Sequence, residues 1–234
     1  MSGASNTEHA RYGAPTLVSA TNFQSTTTHQ YTLEALINLS FLPTSSDNTH
    51  QIMTLESATG LDSARAFQFR LRHRNGAAQL SFIALEISSS NPYIVAPIPT
   101  TGPHAYAADD WYHVAATYDA SGAGIGHMKL YWTKLSALPG EANELTNTTV
   151  YNGRGGDGKQ LADIDGTAYF LVGNRWGTGG IQDEDLHGLI DEIRISSTVR
   201  GADEFIFYSQ PIAEPGALPL IACALLGLRR RGRR

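Results

Sequence analysis

Phe67-Gln68-Phe69-Arg70-Leu71-Arg72 alternates apolar and polar residues without a break, the period of a strand whose successive side chains point to opposite faces. It reads as a half-buried strand with Phe67, Phe69 and Leu71 turned inward. Asn75-Gly76 follows, and both residues accept the positive φ of a type I′ turn, so the next alternating run, Gln79–Ile87, closes a hairpin. Further runs of the same kind occur at Tyr31–Leu39, Gln51–Leu55, Trp111–Tyr118, Met128–Trp132, Tyr169–Val172 and Gly188–Ile195. Turn-forming clusters separate them at Thr44–Asn48, Ser88–Pro92, Thr100–Pro103, Asp119–Gly126 and Asn152–Gly158. Strands following one another with no interleaved helix predict an all-β, two-sheet antiparallel sandwich. Only Ala202–Ser209 and the apolar C-terminal stretch invite a helical reading.

The 234 residues fit one such sandwich and a tail, since all-β domains run to about 200–250 residues. Charged residues make up 17% of the chain, below the ~25% of average proteins, as expected where turns and short strands dominate. The formal charge of -5 conceals an asymmetry, because five of the 17 Lys+Arg are Arg229–Arg231, Arg233 and Arg234. The body thus holds 12 basic against 22 acidic groups, a net of -10. A body so acidic repels phosphate backbones, which excludes nucleic acid as an expected partner. Cys223 is the single cysteine and has no intrachain partner, so no disulfide holds the sandwich.

Trp111-Tyr112-His113-Val114-Ala115-Ala116-Thr117-Tyr118-Asp119, followed by Met128-Lys129-Leu130-Tyr131-Trp132, resembles the laminin-G-like branch of the concanavalin A-like lectins and glucanases. Leu171-Val172-Gly173-Asn174 and then His187-Gly188-Leu189-Ile190-Asp191-Glu192-Ile193-Arg194-Ile195 are similar to that family's closing strands. Tyr31-Thr32-Leu33-Glu34-Ala35-Leu36-Ile37 is a weaker match, with Leu36 where Trp is usual. The resemblance implies a jelly roll over 30–209, preceded by a segment 1–29 holding at most a first strand and followed by a tail, 210–234.

The tail resembles a bacterial PEP-CTERM sorting signal. Ala213-Glu214-Pro215 precedes the uncharged run Gly216–Leu228 and the arginine cluster, with Ala213 in place of the first proline. That resemblance implies export, membrane retention of a precursor by a short apolar helix, and an exosortase-type processing enzyme as partner. Thirteen helical residues span only ~20 Å of a ~30 Å hydrocarbon core, so the bilayer must thin or the arginines snorkel. The other reading, a helix packed on the sandwich, requires an amphipathic stripe, whereas Leu218, Leu220, Ile221, Ala222, Cys223, Leu225 and Leu226 surround the helix axis. Export also needs a leader, and Met1–Gly13 has neither a basic n-region nor an apolar h-region, which predicts a start upstream.

Catalytic patterns are missing from the sequence. Related glucanases set carboxylates at alternate positions of one strand, E-x-D-x-E, so that all three face the cleft; here Asp183-Glu184-Asp185 is contiguous and reads as a solvated loop. No G-x-S-x-G elbow occurs, and the eight histidines are never closer than nine residues apart. Gly153–Gly158 satisfies G-x-G-x-x-G but neither follows a buried strand nor opens a helix, so it reads as a loop.

Two kinds of site remain. Calcium requires several carboxylate and carbonyl oxygens; Asp191, at a position where the resemblance implies a structural calcium, and the loop residues Asp157, Asp163 and Asp165 are the candidates. The alternatives are a hydrogen-bonded or arginine-paired strand carboxylate for Asp191 and a solvated turn for the loop. Sugar contact requires exposed aromatics beside polar side chains. Asn174-Arg175-Trp176 in a Gly-rich loop, and Tyr151, Asn152 and Arg154 in the other, fit that description, with a lid over one end of the sandwich as the alternative for Trp176. The expected function is a non-enzymatic binding module, exported or displayed at the cell surface, for a polysaccharide, another glycan or an extracellular matrix protein. A diverged glycoside hydrolase and a purely structural matrix protein are the competing classes.

Overall fold

The computed structural model describes residues 10–13, 30–45, 48–57, 65–84, 93–119, 128–137, 140–151, 168–176 and 182–208. Almost all regular structure in it is strand, in two antiparallel sheets with the topology of a jelly-roll sandwich. One sheet has seven strands, β1 (Ala10–Gly13), β10 (Ala168–Val172), β3 (Thr49–Ser57), β4 (Arg65–Arg74), β5 (Ala77–Ala84), β6 (Tyr93–Pro97) and β9 (Thr149–Tyr151), in that spatial order. The other has four, ordered β13 (Gly188–Ser196), β2 (Gln30–Leu39), β7 (Trp111–Asp119) and β8 (Met128–Lys134). A small hairpin, β11 (Arg175–Trp176) with β12 (Gln182–Asp183), stands apart from both.

The expected alternation sets the core. Phe67, Phe69 and Leu71 are fully buried, and they meet Val114, Ala116 and Leu130 of the facing sheet, with Ile193 and Ile195 packed at the margin. Trp132 lies wholly inside and its indole N–H donates to the His104 carbonyl at 3.1 Å, while Trp111 is half-buried. Asn75 and Gly76 make the expected turn with φ of 55° and 78°. A first strand does exist before Tyr31: β1 lies antiparallel to β10, Arg11 opposite Leu171.

Three expectations change. Tyr93–Pro97 and Thr149–Tyr151, too short to show a period in the sequence, extend the large sheet. Ala202–Ser209 is open to a helical reading in the sequence; residues 202–208 form turns and one 3-10 turn at Ile206–Tyr208 instead, because Phe205 is pinned against Ala115, Tyr131 and Ala142, and Ser209 lies outside the described residues. The strand that opened the sequence reading is buried on both faces, not one: Gln68, Arg72 and their neighbours on the polar side are as enclosed as the core. The tail 210–234 lies outside the described residues; among those described, no helix is long and apolar enough to cross a membrane.

Candidate functional site

The polar side of the large sheet is where the chemistry collects. In β4 the residues turned away from Phe67, Phe69 and Leu71 are Gln68, Arg70 and Arg72. Register places Thr54, Gln68 and Ile83 side by side across β3, β4 and β5, then Gln51, Arg70 and Ser81, then Arg72 and Gln79. Burial here is nearly complete: Gln51, Thr54 and Ser81 are 0% exposed and Gln68 is 2% exposed. Yet the Gln51 Oε1, Gln68 Nε2, Gln79 Oε1 and Ser81 Oγ atoms are buried without a protein hydrogen-bond partner. Folded proteins satisfy nearly all buried polar atoms, and each one left over costs about 1–3 kcal/mol, so a row of them demands a reason. Arg72 lies over the Tyr93 ring, its guanidinium carbon 5.3 Å from the centroid, a cation–π contact that offsets part of its desolvation.

At one end of this face sits Glu184. The chain leaves β10 through Gly173, whose φ of 72° turns it back so that its N–H reaches the Ile52 carbonyl at 2.9 Å. Asn174 follows, 1% exposed, with its Oδ1 accepting from the Arg175 N–H and its Nδ2 buried without a protein partner. Hairpin β11–β12 then returns the chain to Glu184, which holds φ at 66°, a conformation that strains a non-glycine residue and persists only where its surroundings impose it. Its carboxylate accepts from Arg175 Nη1 at 2.8 Å and from Gln51 Nε2, with Arg70 Nη1 4.0 Å away. The Gln51 backbone N–H also bonds the Glu184 carbonyl, at 3.0 Å. Glu184 is therefore not part of a solvated loop, as its acidic neighbours suggested, but a half-buried joint between the hairpin and the sheet.

The candidates named from sequence are placed unequally. Asn174 and Arg175 belong to this site. Trp176 lies in β11, Cα opposite that of Gln182, but its side chain is outside the described residues. Tyr151 lies in β9 with its Cα opposite that of Tyr93, its side chain likewise outside. Asn152, Arg154, Asp157, Asp163 and Asp165 also lie outside the described residues. Asp191 is exposed beside a bulge of β13, where its Oδ1 accepts the Glu192 N–H at 2.9 Å and Glu192 takes a φ of 47°. Among the described residues, no three His, Cys, Asp or Glu side chains are grouped to hold a metal ion.

Sequence reasoning passed over Gln51, Gln68, Arg70, Arg72 and Glu184. A signal was available: β4 carries Arg65, Arg70, Arg72 and Arg74 in a body with few basic residues. Glu184 had none, since only folding brings it to Gln51 across 133 positions.

The small sheet carries a different polar cluster. Glu34, 0% exposed, accepts from Arg194 Nε at 2.6 Å, from His113 Nε2 at 3.2 Å and from the Ile206 N–H at 2.9 Å. Phe205 lies against His113, ring centroids 4.8 Å apart, so this cluster fastens the 197–208 segment over the sheet. Burial holds the His113 imidazole below its ordinary range against the opposing pull of Glu34. A second histidine, His50, packs between Phe41 and His187, and burial followed by the charge of His187 pushes it down to about 4.

A family model described as the concanavalin A-like lectin/glucanases superfamily matches residues 13–132. No curated protein matches the chain. Among solved structures, the chain is similar to the Ruminococcus gnavus IT-sialidase CBM40 bound to α2,6 sialyllactose, at 16% identity and a TM-score of 0.54 over 87% of this chain and 97% of that one. It is similar to a leech intramolecular trans-sialidase complexed with 2,7-anhydro-Neu5Ac, at 16% identity and a TM-score of 0.54, covering 86% of this chain and 26% of that one. A third is the enzymatically active domain of bacteriophage CBA120 tailspike protein 2, at 12% identity and a TM-score of 0.45, covering 74% and 23%. The chain thus spans about a quarter of the length of the last two. At such identities the likeness concerns the fold.

Proposed function

This chain belongs to the concanavalin A-like lectin/glucanases superfamily, and we propose that it is a non-enzymatic glycan-binding module that uses the polar side of its seven-stranded sheet. The observation that carries the reading is the set of buried amide and hydroxyl atoms on that side with no protein partner. Planar amides with unmet donors and acceptors match the hydroxyl-rich surface of a sugar, and a site built to hydrogen-bond rejects partners that cannot. Further support comes from the CBM40 relative, whose structure holds sialyllactose. Against hydrolysis, the carboxylate at the site has its oxygens engaged by Arg175 and Gln51, whereas a glycosidase needs one free to protonate a leaving group. The sorting-type tail supplies the location in this proposal: an exported module, held at the surface by its apolar run until processed.

The test is a titration of the full chain against a panel of immobilised neutral and acidic saccharides, repeated with Gln68→Leu. Leucine removes a buried unsatisfied amide, so the variant should unfold at the same or a higher temperature while its glycan affinity falls, the trade expected of a functional site. Trp176→Ala should lower affinity by about 2 kcal/mol if the indole stacks on the sugar. Absence of binding across the panel, or turnover of a saccharide by the parent protein, would sink the reading.

A further inference from the structure

We infer that His50 and His187 form a binding site for a borderline divalent metal ion of the zinc class, the two imidazoles supplying its protein ligands and solvent the rest. The site does not depend on the glycan-binding reading. Along the sequence no two histidines stand at metal-ligand spacing, yet folding brings these two rings to 5.1 Å between centroids, at an interplanar angle of 62°. That separation has a chemical meaning. Zinc binds an imidazole nitrogen at about 2.0–2.1 Å, and a ring nitrogen lies about 1.1 Å from its own centroid, so two imidazoles at a tetrahedral angle on one ion have centroids about 5 Å apart.

His50 itself lacks a partner. Its ring is 2% exposed, and both Nδ1 and Nε2 are buried without a protein hydrogen-bond partner. A neutral imidazole carries one N–H donor and one lone pair. Leaving both unmet in the interior is a cost that packing does not explain, because leucine or phenylalanine would fill the place beside Phe41 and His187 with no polar atom to satisfy. A metal ion takes up the lone pair. His187 is exposed and Phe41 is 42% exposed, so this corner opens to solvent, which lets an ion in and lets water complete its coordination.

The donors select the ion. Neutral nitrogen ligands suit zinc, nickel and copper, whereas calcium and magnesium take oxygen. Among the described residues no third His, Cys, Asp or Glu is grouped with the pair, so the site is open and unlike the closed four-ligand sites of structural zinc. Its position gives it a task. His50 precedes Gln51 in β3, and His187 follows Glu184 by three residues, so one ion ties together the two segments that the Gln51–Glu184 contact also joins.

The experiment is calorimetric titration and thermal unfolding of the full, metal-free chain with Zn2+ and Ni2+, and with Ca2+ and Mg2+ for comparison. Zinc or nickel at about a hundredfold excess over its calorimetric dissociation constant should raise the melting temperature by about 5 °C or more, and calcium and magnesium at the same concentration should not. His187→Ala alters an exposed side chain, so the variant should fold and lose the rise. His50→Leu should lose it too, while its metal-free form melts at the same or a higher temperature because the unmet nitrogens are gone. Should His50→Leu fail to fold, His187→Ala decides alone. A rise that persists in folded His187→Ala assigns the ion to Cys223 or to other histidines and overturns the inference. Absence of binding by zinc and nickel overturns it as well, and so does an equal response to calcium, an ion that nitrogen donors do not select.

Discussion

Glu34 and Glu184 are both carboxylates enclosed in a β-sandwich and both answered by arginine, yet they do opposite things to their surroundings. Glu34 lies on the small sheet in regular strand, and around it the arginine, the imidazole and a backbone N–H meet its oxygens from three elements. Glu184 lies at the edge of the large sheet on a strained turn, in a neighbourhood where Gln51, Gln68 and Asn174 each keep one amide atom buried without a protein partner. A buried carboxylate whose oxygens are all met is what holds a fold together. Burial with demands unmet is tolerated where a ligand meets them, which is why the second region, though less buried, is the one proposed to bind.

The sharpest way to break the comparison is to neutralise each carboxylate. Glu34→Gln should destabilise the domain by about 2–3 kcal/mol in denaturant unfolding, because it weakens the charge-assisted bonds that Arg194, His113 and the Ile206 N–H make to a carboxylate that is itself fully buried. A loss below about 1 kcal/mol would show that the cluster is not what secures the 197–208 segment.

Acid should separate the two regions next. His113, against Glu34, and His50, behind Phe41, are both held below the ordinary histidine range, and His50 is pushed to about 4. The unfolded chain therefore takes up these protons first, at about pH 6.5, so stability is complete above that value and declines as pH falls from 6.5 toward 4, by at most ~1.4 kcal/mol per pH unit for each proton. His113→Gln should flatten that decline as followed by unfolding at successive pH values. An unchanged slope would mean that the imidazole takes up its proton equally well in the folded chain.

Glu184→Gln should cost about 1–2 kcal/mol, less than its counterpart, because the carboxamide keeps an oxygen to accept from Arg175, whose side chain is 16% exposed. A larger loss than at Glu34 would invert the comparison. The smallest effect belongs to Asp191: Asp191→Asn should shift stability by no more than ~0.5 kcal/mol, since the exposed side chain accepts only its neighbour's N–H. A calcium-dependent rise in melting temperature that this change abolishes would instead establish Asp191 as a ligand.

The two regions were also unequally legible. Alternation at Phe67–Leu71 and Val114–Ala116 told which side chains enter the core, because a strand's period is fixed by local geometry and the apolar side must be buried. The stretches Trp111–Asp119, His187–Ile195 and Tyr31–Ile37, on which the family resemblance rests, carry His113, Arg194 and Glu34, and these three meet in one cluster. Asn174 and Arg175 were singled out for sitting in a loop rich in glycine, and they do adjoin the polar face. The arginine stripe of β4 was visible but looked like solvated charge.

What the sequence determined by itself was therefore the periodic part: strands, their inward sides, the hairpin at Asn75-Gly76 and the two-sheet sandwich, all of which follow from spacing along the chain. Tertiary structure alone decided that the polar side of β4 would be shut away from water and that Gly173 and the small hairpin would carry Glu184 back to Gln51. Whether a polar residue is solvated or enclosed depends on what packs over it from distant parts of the chain, and alternation along one strand holds no record of that.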